Sequence, residues 1–147
     1  MRCVSIGHNP AVAIQPAEFT LPEQPSYLTG RLRSFGHAFR GLGILVQTQH
    51  NARIHALAAI LVVAAGILLR ISPAEWALIV LAIVCVWVAE ALNTAIELLV
   101  DLASPGPHAL AGKAKDVAAG AVLVAAIGSV IVGVLVFGPH VLRMLER

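Results

Sequence analysis

Apolar positions along the chain fall into three long runs separated by short polar breaks. The first, ALAAILVVAAGILL at 56–69, extends backward to Ile54 and forward past Arg70 to Ile71. The second starts at Trp76, carries no charge through Ala89, and continues as a helical pattern to Val100. The third, VAAGAVLVAAIGSVIVGVLVF, covers 117–137. A helix that crosses a bilayer needs about 20 mostly apolar residues, and these runs predict crossings over 52–71, 75–101 and 115–138. The first holds His55 and Arg70 near its ends, where a long basic side chain can reach the headgroups. Ser72-Pro73 separates the first two crossings, with proline at a helix start and Glu75 in the first turn. The second break, 101–115, contains Pro105, Gly106, Pro107 and Gly112.

Before the first crossing the pattern differs. Leu32, Phe35, Phe39, Leu42, Ile44, Leu45 and Val46 form a broad apolar face, with Arg33, His37 and Arg40 among the polar positions. This predicts an amphipathic helix over 27–50, lying on the inner leaflet with its arginines toward lipid phosphates. Residues 1–25 contain Pro10, Pro16, Pro22 and Pro25 and no periodic face, so they are expected to be a flexible tail ahead of one membrane domain, 26–147. The apolar patch at 11–14 is too short for a signal-peptide core.

Composition sharpens this picture. Of 147 residues, 59% are hydrophobic and 12% charged, which leaves too little polar surface to clothe a soluble bundle of three such helices. The mean hydropathy of +0.86 says the same. A net charge of +2 provides no broad basic field for nucleic acid. Cys3 and Cys85 are far apart, and neither a disulfide scaffold nor a thiolate metal site is indicated. The expected class is an all-α membrane protein: an N-terminal surface helix and three transmembrane helices. Arg31, Arg33, Arg40, Arg53, Lys113 and Lys115 fall on one side, Arg70, Arg143 and Arg147 on the other, which puts the N-terminus and the second loop in the cytoplasm.

Candidate chemistry concentrates in EALNTAIELLVD, 90–101. Glu90, Asn93, Glu97 and Asp101 are spaced 3, 4 and 4 residues apart, which places them within an arc of roughly 80° on one helix face. Three carboxylates on one stripe repel one another, and near a membrane they lose hydration, so they call for a cation. A divalent metal with a polyphosphate meets that need, because Mg²⁺ is held by one or two carboxylates plus substrate phosphates. A solvated helix end bridged to Lys113, Lys115 or Arg53 explains the same spacing. Glu90 argues against it, since it lies about three turns from the helix end, at the hydrocarbon edge, where a carboxylate is a candidate general base. The second loop, HALAGKAKDVAAGAV, brings His108, Lys113, Lys115 and Asp116 just ahead of the third crossing. Lys115 can neutralise phosphate as a point charge, and Asp116 is expected to sit at the helix N-terminus. QTQHNARIH, 47–55, is polar at the entry to the first crossing. No Walker loop is present. A small oligomer that conducts an ion or proton along the acidic stripe, or a structural membrane partner, is the alternative reading.

Four segments in order, SFGHAFRGL, NARIH, EALNTAIELLVDL and HALAGKAKDVAAGAV, resemble the small prokaryotic diacylglycerol kinase / undecaprenol kinase family over about 34–137. The NTAIE and NARIH wording is nearer the undecaprenol branch. The resemblance implies a homotrimer in the bacterial inner (cytoplasmic) membrane, with sites near the cytoplasmic face that transfer the ATP γ-phosphate to a lipid hydroxyl with Mg²⁺. It implies Glu90 as general base, Asn93 as the residue orienting the reacting groups, and Glu97 as metal ligand. Lys115 and Asp116 would contact nucleotide, with Gly106, Pro107 and His108 lining the same pocket, and His37 would lie near nucleotide and lipid. The family often has a glutamate metal ligand six residues before the position of His55. Here Gln49 stands there, a neutral ligand that brings no charge. Small residues such as Ala118, Ala119, Gly120 and Ala121 allow close helix contact.

Overall fold

A computed structural model describes residues 27–146; the tail expected over 1–25 lies outside the described residues. They form four helices and no strand: α1 (Tyr27–Thr48), α2 (His50–Leu69), α3 (Pro73–Ala103) and α4 (Ala109–Leu145). α2, α3 and α4 are each long and apolar enough to cross a membrane. Their side chains confirm the solvent they are built for. Leu68, Leu81, Leu102, Val117, Val124 and Leu135 all point outward, a distribution ruinous in water and ordinary in hydrocarbon. The protein is therefore an all-α, multi-pass membrane protein.

Each break has a local cause. Gln49 alone leaves the helical region between α1 and α2, with φ −99° and ψ 120°. The Arg53 side chain reaches back to the carbonyls of Val46, at 2.9 Å, and Gln47, which closes the C-terminal end of α1. The turn after α2 runs through Arg70 in the left-handed region, φ 52°, with the Ile71 N–H donating to the Gly66 carbonyl at 3.2 Å. α3 starts as its sequence suggests: Pro73 is in the first turn, and Ser72 and Glu75 cap each other reciprocally. The Glu75 carboxylate also meets His140 Nε2 at 2.9 Å, which ties the start of α3 to the end of α4.

α4 differs most from expectation. It begins at Ala109 and continues through Pro139 to Leu145, well beyond the apolar run of the 115–138 crossing. The ring of His108 accepts the Leu110 N–H at 3.3 Å and so caps the helix early. Alanine, leucine and lysine then propagate it into the apolar run without a break. Asp116 is consequently two turns inside α4 and not at its N-terminus, so it does not cap.

α3 packs most extensively against α4, with α2 against both. Ile71, Ile79 and Val136 form a buried cluster that Val62, Trp76, Val132 and Phe137 cover. It lies at the end of the bundle remote from the 104–108 loop. At 1.5 Å per residue, α3 is about 46 Å long and α4 about 55 Å, against a hydrocarbon core of about 30 Å. Both therefore exceed the hydrocarbon, and the end at the 104–108 loop, which carries Asp101, Lys113 and Lys115, is one suited by its charges to project beyond it.

Candidate functional site

The polar stripe on α3 runs from that projecting end inward. Asp101 is at the outer end, 63% exposed, in an ion pair with Lys115 Nζ at 2.5 Å. One turn in, Asn93 Nδ2 donates to Glu97 Oε1 at 2.9 Å. Deepest is Glu90, 1% exposed and the largest fully buried side chain among the described residues. From Asp101 to Glu90 the stripe descends about 16 Å.

Satisfaction of these groups falls with depth. Glu90 Oε2, Asn93 Oδ1 and Thr94 Oγ1 are sealed from solvent and have no hydrogen-bond partner. Buried polar atoms are normally paired, and leaving one unpaired costs about 1–3 kcal/mol. Three orphans on adjacent turns of one helix mark a place where stability is given up. Glu90 and Thr94 are four residues apart and project from the same face. Thr94 was not expected to belong to the site, although its spacing from Glu90 is the signal that would have found it.

At the outer end, Val100, Asp101 and Ser104 on one side and Gly106, Pro107, His108, Gly112 and Lys115 on the other enclose an open cleft of about 520 Å³. Gly106, Pro107, His108 and Lys115 thus come together as expected. The Asp101–Lys115 pair realises the ion-pair reading of the stripe, but only for its outermost member. Asp116 is exposed on α4 and does not line the cleft. His37 is exposed on α1, and Gln49 is half-buried at the α1–α2 junction. Among the described residues, no side-chain hydrogen bond or ion pair joins either to the α3 stripe.

Among the described residues no group of three His, Cys, Asp or Glu side chains forms a metal cage. Glu97 is half-buried, with one oxygen fixed by Asn93, beside the orphaned Asn93 Oδ1. This donor set, all oxygen and one charge, suits Mg²⁺ and would not suit a soft metal. Chemically, the arrangement offers a buried carboxylate to accept a proton, a carboxylate–amide pair to meet a cation, and a lysine-bearing cleft to meet an anion.

The model of the prokaryotic diacylglycerol kinase family matches residues 36–137. Undecaprenol kinase of Bacillus subtilis (strain 168) is 47% identical over 107 residues, 73% of this chain and 87% of that protein. Diacylglycerol kinase of Synechocystis sp. is 42% identical over 115 residues, 78% of this chain and 66% of that protein. Diacylglycerol kinase of Escherichia coli (strain K12) is 29% identical over 109 residues, 74% of this chain and 89% of that protein. The matched segment takes in most of α1, the α3 stripe, the cleft and most of α4, and the chain belongs to the prokaryotic diacylglycerol kinase family, a family of membrane lipid kinases.

Proposed function

We propose that this lipid kinase transfers the γ-phosphate of ATP, with Mg²⁺, to the hydroxyl of a membrane lipid, undecaprenol ahead of diacylglycerol. The observation that carries the reading is Glu90: a carboxylate sealed within an apolar, membrane-length helix, with a free oxygen. In phosphoryl transfer the protein supplies alignment and charge neutralisation more than covalent chemistry. The acceptor hydroxyl presents its O–H to Glu90 Oε2, which takes the proton as the oxygen–phosphorus bond forms. The bond from the γ-phosphorus to the bridging oxygen breaks, and its electron pair leaves with ADP. Asn93 orients the reacting groups and holds Glu97. Glu97, with Gln49 as a neutral second ligand, would hold Mg²⁺, which neutralises the phosphate charge. Lys115, fixed by Asp101, faces phosphate oxygens in the cleft of Gly106, Pro107 and His108, with Asp116 and His37 at the nucleotide's margin.

Placement of the two ends supports this. The hydrated cleft receives a water-borne nucleotide, and the buried end receives a lipid alcohol, so water is scarce where phosphate transfers. α1, with Phe35, Phe39 and Leu42 exposed beside Arg33 and Arg40, serves as the surface helix on the cytoplasmic leaflet of the bacterial inner membrane. The working form is a homotrimer, whose contacts cover part of the outward apolar surface. The preference for undecaprenol rests on the 47% identical relative, 87% of which the match covers. The test is reconstitution in liposomes holding undecaprenol, diacylglycerol or both, with radiolabelled ATP. Label should enter the undecaprenol fraction first and disappear with a Mg²⁺ chelator. Absence of label in either lipid would overturn the assignment, and label in diacylglycerol alone would overturn the order.

A further inference from the structure

The last two turns of α4, 138–145, lie beyond the segment that the diacylglycerol kinase family matches. They complete a second cavity, of about 200 Å³, at the end of the bundle remote from the cleft. Leu68 and Leu69, on the last turn of α2, form one wall; His140, Arg143 and Met144 of α4 form the other. The polar groups here are unequally committed. His140 Nε2 meets Glu75 Oε1 at 2.9 Å, and the Ser72 N–H donates to Glu75 Oε2 at 2.6 Å. Glu75 thus has a partner on each oxygen, and neither it nor the exposed Glu146 lines the cavity. Arg143 Nε donates to the Pro139 carbonyl at 3.0 Å, which holds the guanidinium by its root. Its two terminal nitrogens make no hydrogen bond or ion pair among the described residues. Arg70 follows Leu69 directly and adds a second unpaired positive charge at this end.

We propose that this cavity binds the phosphate of an anionic phospholipid from the leaflet on that side, with Arg143 as the phosphate ligand and Leu68, Leu69 and Met144 against the upper part of its acyl chains. A guanidinium offers its terminal N–H groups as a fork that matches two phosphate oxygens. Depth agrees: α2 has 20 residues, so it is about 30 Å long, the thickness of the hydrocarbon core, and its last turn stands at the hydrocarbon edge. Arg143, across the cavity from that turn, is then at headgroup level. A helix C-terminus favours a cation by itself, which accounts for an arginine here but not for its surroundings. Leu68 and Met144 are largely exposed apolar side chains flanking that cation, a pairing that fits a ligand with an anionic head and a hydrocarbon body. Free phosphate would leave those walls unused, and a zwitterionic headgroup brings a cation that two arginines repel. The site does not depend on the general-base reading of Glu90.

The test is native mass spectrometry of the full-length protein in detergent, titrated with phosphatidylglycerol, phosphatidylcholine or inorganic phosphate. Phosphatidylglycerol should bind Arg143→Gln about fivefold more weakly than wild type, the effect of one basic residue at an anionic lipid surface. Met144→Glu, which leaves Arg143 in place and sets a carboxylate in the cavity, should weaken it by a similar factor. Lys113→Gln removes the same charge at the opposite end and should change it by less than about twofold. Phosphatidylcholine binding should be the same in all four proteins. Thermal unfolding of each variant separates lost binding from lost fold; should Arg143→Gln unfold, Met144→Glu decides alone. Unchanged phosphatidylglycerol binding in either folded cavity variant overturns the inference. Equal loss in Lys113→Gln also overturns it, because the protein then senses anionic lipid through net charge alone. A parallel loss of phosphatidylcholine defeats the recognition of the headgroup, and displacement of phosphatidylglycerol by inorganic phosphate defeats the lipid as occupant.

Discussion

Replacing Glu90 by glutamine separates a residue kept for chemistry from one kept for folding. The side chain is 1% exposed and its Oε2 has no partner. Glutamine keeps the volume, so no cavity opens and no neighbour is displaced. What changes is charge and basicity. On the stability side, an amide costs less than a carboxylate to hold away from water, and the effect is expected to be neutral or favourable, up to about 1–3 kcal/mol. On the activity side, a positioned general base contributes about 10²- to 10⁴-fold, which is about 3–5 kcal/mol of barrier. The two effects have opposite signs, which makes the variant diagnostic. The assay pairs kcat for lipid phosphorylation in liposomes with thermal unfolding in detergent on the same preparation. The expected result is a loss of at least 100-fold in kcat with an unchanged or raised melting temperature. Activity within about threefold of wild type would refute the base. Lost activity with a lowered melting temperature would make Glu90 a structural residue whose orphaned oxygen has another explanation.

Three other outcomes follow from particular contacts. Lys115→Met should raise KM for ATP about tenfold in steady-state kinetics. It should leave stability within about 1 kcal/mol, because the 2.5 Å pair with Asp101 is exposed and such pairs contribute little to folding. Gly66→Ala should destabilise by about 1–3 kcal/mol in thermal unfolding, since an added Cβ would stand 2.8 Å from the Trp76 ring; the helix-propensity gain of about 1 kcal/mol only partly offsets it. Arg70→Gly should raise the melting temperature, by relieving about 1 kcal/mol of left-handed backbone cost at φ 52°.

The helical class, the three crossings and the acidic stripe were legible because each is a periodic signal carried within one segment. Glu90, Asn93, Glu97 and Asp101 needed only a 3.6-residue repeat to be placed on one face, and the structure places them so. Features that depend on two segments meeting were legible in type but not in geometry. The start of α4 was set too late because Lys113, Lys115 and Asp116 read as a hydrated loop, whereas the His108 ring caps the helix and those charges lie on its first two turns. The same error put Asp116 at an N-terminus that lies two turns earlier. Thr94 is illegible for a different reason. A threonine in a membrane helix has ordinary roles, and only burial without a partner distinguishes it here.

The stripe makes physical sense as a gradient. Asp101 is exposed and already paired with Lys115. Glu97 is half-buried and held by an amide, which fixes its position without cancelling its charge. Glu90 is sealed and has a free oxygen. Moving inward, each group is less hydrated and less satisfied than the one before. Coulomb attraction between a charge and its partner strengthens as the surroundings become less polar, so unmet demand is greatest where the lipid hydroxyl would arrive and least where water can already meet it. A uniform set of paired carboxylates would be more stable and would have nothing left to offer a substrate. A uniform set of bare ones would repel itself apart at the cleft. One helix carrying Glu90, Glu97 and Asp101 along one face meets both requirements with no added loop or domain.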